Sequence, residues 1–329
     1  MSQKILTIAI AAYQVEAYIE NTLSSLIVPE AMDAFEVLVI DDGGTDKTLE
    51  IAAGFAEQYP GTFRLIHKRN GGYGTVVNHA IGIAEGKYFK LLDGDDWFDN
   101  EGFARYLSAL READEDALVT PMYNVTDEKT LINHAGYEED MSFDIRNFHP
   151  RRPLSHWCLT FKTSVLRESG VRCLAHTLYT DQIYSTVPFS MVETVRFLNI
   201  PLYAYRLGRD GQSMSRESRI RHINDLLRVN HLLYEFCSTE KNNPAYTYLL
   251  FRVSTYYMSA FKLFLILPSS RKNLAALKQY EKKSEAAYPE IYREAEVSSR
   301  TGSLLKAMRK SDYRLYWLFR FADHFLTNF

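Results

Sequence analysis

Apolar and polar positions alternate in blocks over the first hundred residues. Residues 5–11 form a short, nearly continuous apolar run, the pattern of a parallel strand covered on both faces. Beyond Ala17, Ile19, Leu23 and Leu26 recur at helical spacing until Pro29 closes the segment. Residues 35–40 repeat the buried-strand pattern and run into Asp41-Asp42-Gly43-Gly44. Asp46 suits the N-cap of the next helix, whose apolar positions are Leu49, Ala52, Ala53, Phe55 and Ala56. A third strand at 62–67 leads to the turn Asn70-Gly71-Gly72-Tyr73-Gly74 and a helix through Val77, Ala80, Ile81 and Ala84. Gly86 ends that helix, and a fourth strand at 87–92 enters Asp93-Gly94-Asp95-Asp96.

Strands alternating with helices predict a doubly wound parallel sheet. Ligands bind such sheets outside the carboxyl ends of the strands, and Ala11-Ala12-Tyr13, Asp41-Asp42 and Asp93 to Asp96 all fall there. The middle is less regular, with strands expected at 117–121, 157–161 and 195–200 and a polar, loop-rich stretch at 124–150. After Gly208-Arg209-Asp210-Gly211 the pattern turns helical, near 217–238, 244–266, 271–286 and 303–326. A boundary near residue 215 follows, separating a sheet domain (1–215) from a helical one (216–329).

Charge refines this picture. The whole chain of 329 residues carries −3, which gives no reason to expect nucleic acid as a partner. Residues 1–200, however, hold 17 Lys/Arg against 29 Asp/Glu, and residues 201–329 hold 21 against 12. An acidic front and a basic back suggest two jobs. Cys158, Cys173 and Cys237 form no CxxC pair, which disfavours a disulfide framework or a cysteine zinc site and fits the cytoplasm. The apolar N-terminal run is short and broken by Thr7, so it reads as a buried strand rather than a leader. Residues 246–267 are apolar but contain Arg252 and Lys262, each costing about 2.5–3.5 kcal/mol near a bilayer centre, so a buried or interfacial helix is expected. Residues 300–329 interleave Arg300, Lys306, Arg309, Lys310, Arg314 and Arg320 with aromatic residues. A basic, aromatic, amphipathic helix there suits an anionic membrane surface, and suits its own domain or a homodimer partner equally well.

Several groups carry candidate chemistry. Asp93, Asp95 and Asp96 supply hard oxygens of the kind that bind Mg²⁺ or Mn²⁺; capping the next helix is the alternative, although Asp99 or Asn100 could do that. Asp41 and Asp42 can accept hydrogen bonds from a ribose or base, or can simply shape a turn. Asp181 is a helix cap or a general base, and spacing leaves both open. Asn78 can meet a donor phosphate or sugar, or pack its helix. His156 and Trp157 can wall an acceptor site or belong to the core. Arg206 and Arg209 can pair with a diphosphate or lie on the loop surface. The GxGxxG pattern fails at Val77, the P-loop at Tyr88 and the EF-hand at Trp97, and there is no HExxH.

Together these segments resemble a known family. Ile8-Ala9-Ile10-Ala11-Ala12-Tyr13, Val37-Leu38-Val39-Ile40-Asp41-Asp42-Gly43-Gly44-Thr45-Asp46 and Leu92-Asp93-Gly94-Asp95-Asp96-Trp97 look like a family 2 glycosyltransferase of the GT-A fold. The likeness continues at Tyr179-Thr180-Asp181, at Pro201-Leu202-Tyr203-Ala204-Tyr205-Arg206 and at Gly211-Gln212-Ser213, and covers roughly residues 4–215. It implies an α/β, Rossmann-like, mostly parallel sheet flanked by helices, with a nucleotide-sugar half to about residue 100 and an acceptor half at 101–215. It also implies transfer of a sugar, with inversion, from a nucleotide sugar (commonly UDP-linked) to a hydroxyl of a glycan or lipid-linked acceptor. Cell-surface polysaccharide or glycolipid synthesis, on the inner face of the cell membrane, is the expected setting.

By position, the resemblance puts Ala11, Tyr13 and Asp42 at the base and ribose, with Asp41, Gly72 and Gly94 beside the nucleotide. Asp93 and Asp95 become a DxD element, with Asp95 the direct ligand of Mn²⁺ or Mg²⁺, and Asp181 becomes the base. Asp96 and Thr180 would lie near donor or acceptor, Thr180 standing where the family usually has Glu. One rival, a sugar-phosphate nucleotidyltransferase, needs a Gly-rich triphosphate loop that residues 11–13 do not supply. The other, a non-catalytic nucleotide-sugar-binding or membrane scaffold protein, is disfavoured by the presence of Asp42, Asp95 and Asp181.

Overall fold

A computed structural model describes residues 4–208, 215–298 and 301–321, the last three of these for the backbone only. The chain divides into two compact units, Met1–Arg209 and Asp210–Phe329.

The first unit begins with the expected alternation: β1 (Leu6–Ala12), α1 (Ile19–Ser24), β2 (Phe35–Asp41), α2 (Thr48–Gln58), β3 (Phe63–His67), α3 (Tyr73–Ile83) and β4 (Tyr88–Asp93). The apolar runs form strands because helices cover both faces, and every residue of β2 is buried. There follow β5 (Trp97–Phe98), α4 (Asn100–Glu112), β6 (Ala117–Val119), β7 (Met122–Val125), β8 (Lys129–Ile132), β9 (Met141–Asp144), β10 (Leu159–Lys162), α5 (Thr163–Glu168), α6 (Asp181–Tyr184), β11 (Thr194–Phe197) and β12 (Tyr203–Arg206). The main sheet runs β3-β2-β1-β4-β10-β6-β11-β9, and a small one runs β5-β12-β7-β8. The main sheet is mostly parallel and flanked by helices, as expected.

Register positions the site. Parallel pairing sets Ala12 opposite Asp41 and Ala11 opposite Asp93, so β1, β2 and β4 finish side by side. Asp99, not the acids before it, caps α4 by accepting from the Gly102 amide at 3.1 Å. That leaves the upstream acids to other work.

Some boundaries differ from expectation. Residues 156–158 form a 3₁₀ turn, so Trp157 sits at the entry to β10 rather than within it. Helix α2 starts at Thr48, and Asp46 caps from just outside by accepting from the Thr48 amide at 3.1 Å. The polar stretch 124–150 contributes β8 and β9 and the end of β7.

The second unit holds α7 (Arg216–Arg221), α8 (Ile223–Thr239), α9 (Tyr246–Ile266), α10 (Arg271–Ala287), α11 (Pro289–Glu294) and α12 (Gly302–Lys310). Helix α9 is long and apolar enough to cross a membrane, yet it is mostly buried within the protein. Its Arg252 is fully buried and donates to the hydroxyls of Tyr248 (2.9 Å) and Tyr256 (2.6 Å). Buried Glu281 accepts from Arg309 Nε (2.8 Å) and the Tyr313 hydroxyl (2.6 Å). The single helix expected over 303–326 is broken: α12 stops at Lys310, Asp312 and Tyr313 take left-handed φ of 47° and 62°, and 314–321 is a 3₁₀ segment. Residues 322–326 of that expectation lie outside the described residues.

Candidate functional site

The site is built where β1, β2 and β4 end. After β2, Asp41 and Asp42 part company. Asp41 is buried and turned into its own loop, with Oδ1 accepting from the Gly44 amide (3.0 Å) and Oδ2 lying 2.6 Å from His67 Nδ1. These contacts match the turn-shaping alternative for Asp41. Asp42 faces the Gly-rich turn, accepting from the amides of Gly71 (3.0 Å) and Gly72 (2.7 Å) and from Lys68 Nζ. Gly72 has φ +81°, open to glycine, and its amide is part of this cradle. Tyr13, 53% exposed, offers an aromatic face at the rim. Gly94 passes so close to β1 that an added Cβ would sit 2.9 Å from the Ala11 carbonyl oxygen.

The end of β4 carries the centre. Asp93 Oδ2 accepts from His156 Nε2 (3.1 Å) and Trp157 Nε1 (3.3 Å). The other His156 nitrogen, Nδ1, lies 3.7 Å from Asp181 Oδ2 at the start of α6. One imidazole therefore links two acids distant in sequence. Burial opposes charge on both partners, but their attraction prevails. His156 is pushed up to about 10 by Asp93 and Asp181, and Asp93 is held below the usual carboxylate range by His156, Trp157 and Tyr73. Trp157 stacks on Tyr205 with centroids 4.0 Å apart, a flat apolar platform beside the acids.

Asp93 Oδ1 is buried without a hydrogen-bond partner among the described residues. Asp95, two residues on, is half-buried, and its carbonyl accepts from Arg206 Nε at 3.0 Å. An unsatisfied carboxylate oxygen beside a second acid fits Mg²⁺ or Mn²⁺, which takes one or two carboxylates and completes its shell with water and substrate phosphate. No group of three or more His, Cys, Asp or Glu suited to a metal occurs among the described residues. The protein ligands would accordingly be few.

Four further candidates are engaged within the protein. Asp96 is buried and accepts from the Tyr203 hydroxyl (2.8 Å) and the Arg206 amide (2.7 Å), which commits its carboxylate within the protein. Burial, with Asp93 and Asp95 nearby, pushes it up to about 8. Thr180 is buried and accepts from the Leu174 amide at 2.6 Å. Asn78 uses both ends of its amide on the Cys173 backbone, at 2.8 and 2.9 Å. Arg206 lays its guanidinium over the rings of Trp97 (4.6 Å) and Tyr18 (5.1 Å), clamping the loop after β4. Arg209 lies outside the described residues.

Sequence reading missed Lys68, Tyr73, Lys90 and Tyr203. Only Lys90, a lone cation inside an apolar strand, left a visible signal. The 480 Å³ cavity lined by Gly86, Lys87, Lys162 and Arg167 lies at the amino end of β4, away from these acids.

A model of the family described as glycosyl transferase family 2 matches residues 7–170. EpsH of Bacillus subtilis (strain 168) is 27% identical over 228 residues, 63% of this chain and 62% of that protein. The poly(ribitol-phosphate) beta-glucosyltransferase of Bacillus spizizenii (strain ATCC 23059 / NRRL B-14472 / W23) is 24% identical over 220 residues, 64% of this chain and 33% of that one. The chain thus spans about three fifths of EpsH and a third of the glucosyltransferase. Among solved structures, S. aureus TarS 1–349 in complex with UDP-GlcNAc superposes with a TM-score of 0.73 at 19% identity, covering 96% of this chain and 90% of that one. The mannosyltransferase PcManGT from Pyrobaculum calidifontis, in complex with GDP-Man and Mn²⁺, gives 0.52 at 16%, covering 99% and 86%. At such identities the structural likeness speaks for the fold.

Proposed function

We infer that this chain, which belongs to glycosyl transferase family 2, moves a sugar with inversion from a UDP-sugar to a hydroxyl of a cell-surface polymer or lipid-linked glycan. The observation that carries the reading is the line of contacts from Asp42 through Gly71 and Gly72 to α3, and from Asp93 through His156 to Asp181. Support for the donor comes from TarS, whose structure holds UDP-GlcNAc, and for a polyol-phosphate polymer as acceptor from the poly(ribitol-phosphate) relative. PcManGT, which holds Mn²⁺, supports the metal.

The chain's own residues then divide the work. Tyr13 and the Asp42 loop hold the nucleoside at the ends of β1 and β2. Asp93 and Asp95 would hold Mn²⁺ or Mg²⁺, which would neutralise charge on the departing diphosphate, an effect worth several kcal/mol. Asp181 takes the proton from the acceptor hydroxyl as its oxygen bonds to the anomeric carbon. The sugar–phosphate bond breaks in the same displacement, and its electron pair leaves on the diphosphate. General-base help of this kind contributes about 10²–10⁴-fold. His156 ties Asp93 to Asp181 through its two ring nitrogens, and the Trp157–Tyr205 platform gives a sugar ring an apolar face.

The test is release of free nucleotide from a panel of nucleotide sugars with Mn²⁺. We expect UDP release that is lost in Asp95→Ala; pyrophosphate-dependent turnover would instead mark a nucleotidyltransferase, and binding without turnover a scaffold.

A further inference from the structure

Lys90 stands in the middle of β4, fully buried, three residues before Asp93. Its ammonium donates to the carbonyls of Trp157 (2.9 Å) and Leu159 (3.2 Å) and lies 5.9 and 6.0 Å from the ring centres of Phe98 and Tyr203. Among the described residues it meets no carboxylate within 4.0 Å. A buried cation without a counter-charge is costly, and burial alone pulls this one down to about 7. A methionine would fill the same space without a buried charge, but would leave the Trp157 and Leu159 carbonyls without this donor. Some other demand must keep a lysine here.

The strand ladder indicates which. Pairing of β4 with β10 covers only Tyr88 and Phe89, opposite Lys162 and Phe161. Beyond Phe89 the chain facing β4 bends into the 156–158 turn, and the Lys90 ammonium bonds across this gap to the Trp157 and Leu159 carbonyls. That turn presents His156 and Trp157 to Asp93, and His156 to Asp181.

We propose that Lys90 is a positioning residue for transfer: its side chain fixes the 156–158 turn so that His156 and Trp157 hold Asp93 and His156 stays beside Asp181. The proposal rests on the function inferred above, but its hold on the turn can be measured without substrate. In Lys90→Met we expect thermal unfolding near the wild-type temperature, because relief of the buried charge offsets the loss of a donor to two carbonyls. Hydrogen exchange should rise about tenfold or more across residues 155–160 and stay within about twofold in β1 and β2. The transfer rate at saturating donor should fall about 10–100-fold, the scale of an ångström-sized misplacement, and Lys90→Gln, which keeps two donors, should recover part of it. A Lys90→Met protein that unfolds earlier and exchanges faster throughout the sheet would reduce Lys90 to an ordinary structural residue. Unchanged exchange at 155–160 would overturn the proposal outright, as would an unchanged rate. Wild-type protein that transfers no sugar would instead defeat the function, while the exchange result still decided the role of Lys90 in the turn.

Discussion

Asp181 and Asp96 are both acids near the same centre, and their surroundings give them opposite tasks. Asp181 is partly exposed, and its carboxylate lies 3.7 Å from His156. Asp181→Asn should lower transfer about 10²–10⁴-fold and leave the melting temperature near wild type, read by nucleotide release and calorimetry. Asp96 is buried between the Tyr203 hydroxyl and the Arg206 amide. Its folded pKa of about 8 exceeds the ordinary 3.8, so between those values the folded state holds more protons than the unfolded one. Stability from this group is therefore present below about pH 4 and lost as pH rises through 8. Melting curves should show Asp96→Asn more stable than wild type above pH 8, the difference fading toward pH 4; a variant equally stable at both would refute the assignment. The acids at strand ends were legible in the sequence. Their division of labour was not, because Tyr203 reaches Asp96 from 107 positions away.

At the scale of elements, the segment delivering Asp181 rests on the start of α3. Asn78 clasps Cys173 with both ends of its amide, and the His176 amide donates to the Gly71 carbonyl at 3.0 Å. A Cβ on Gly74 would lie 2.2 Å from the Leu174 carbonyl oxygen, whereas one on Gly82, in the same helix, would meet nothing within 4 Å. Gly74→Ala should thus cost about 1–3 kcal/mol and reduce transfer by displacing the segment before Asp181. Gly82→Ala should gain about 0.5–1 kcal/mol with activity intact. Denaturant titrations of the pair check this directly. The βα alternation was readable because doubly covered strands are apolar throughout, as β2 is. Strand β8 escaped notice because Lys129, Thr130 and Leu131 are exposed and carry no apolar alternation. The break after α12 was equally hidden, since it falls on Asp312 and Tyr313 rather than on glycine.

For the whole molecule, the charge asymmetry seen in the sequence lies on two compact units, an acidic one with the site and a basic helical one. Within the latter, Arg309 is turned inward to Glu281, while Lys306, Lys310, Arg314, Trp317 and Leu318 are exposed. Exposed cations with a tryptophan and a leucine suit an anionic bilayer, each Lys or Arg adding about 1 kcal/mol near the surface. The full chain should co-sediment with phosphatidylglycerol vesicles and not with phosphatidylcholine ones, and Trp317→Glu with Leu318→Glu should abolish it. Binding that survives the double substitution would remove the membrane from this account. The convergence of Asp42, Asp93 and Asp181 around one donor remains the claim on which the function stands. A crystal structure with UDP and Mn²⁺ tests it most directly: the uracil should lie by Tyr13 and Asp42, the metal should join Asp95 to the diphosphate, and Asp181 should face the space for the sugar. Nucleotide bound elsewhere, or a diphosphate remote from Asp93 and Asp95, would contradict it.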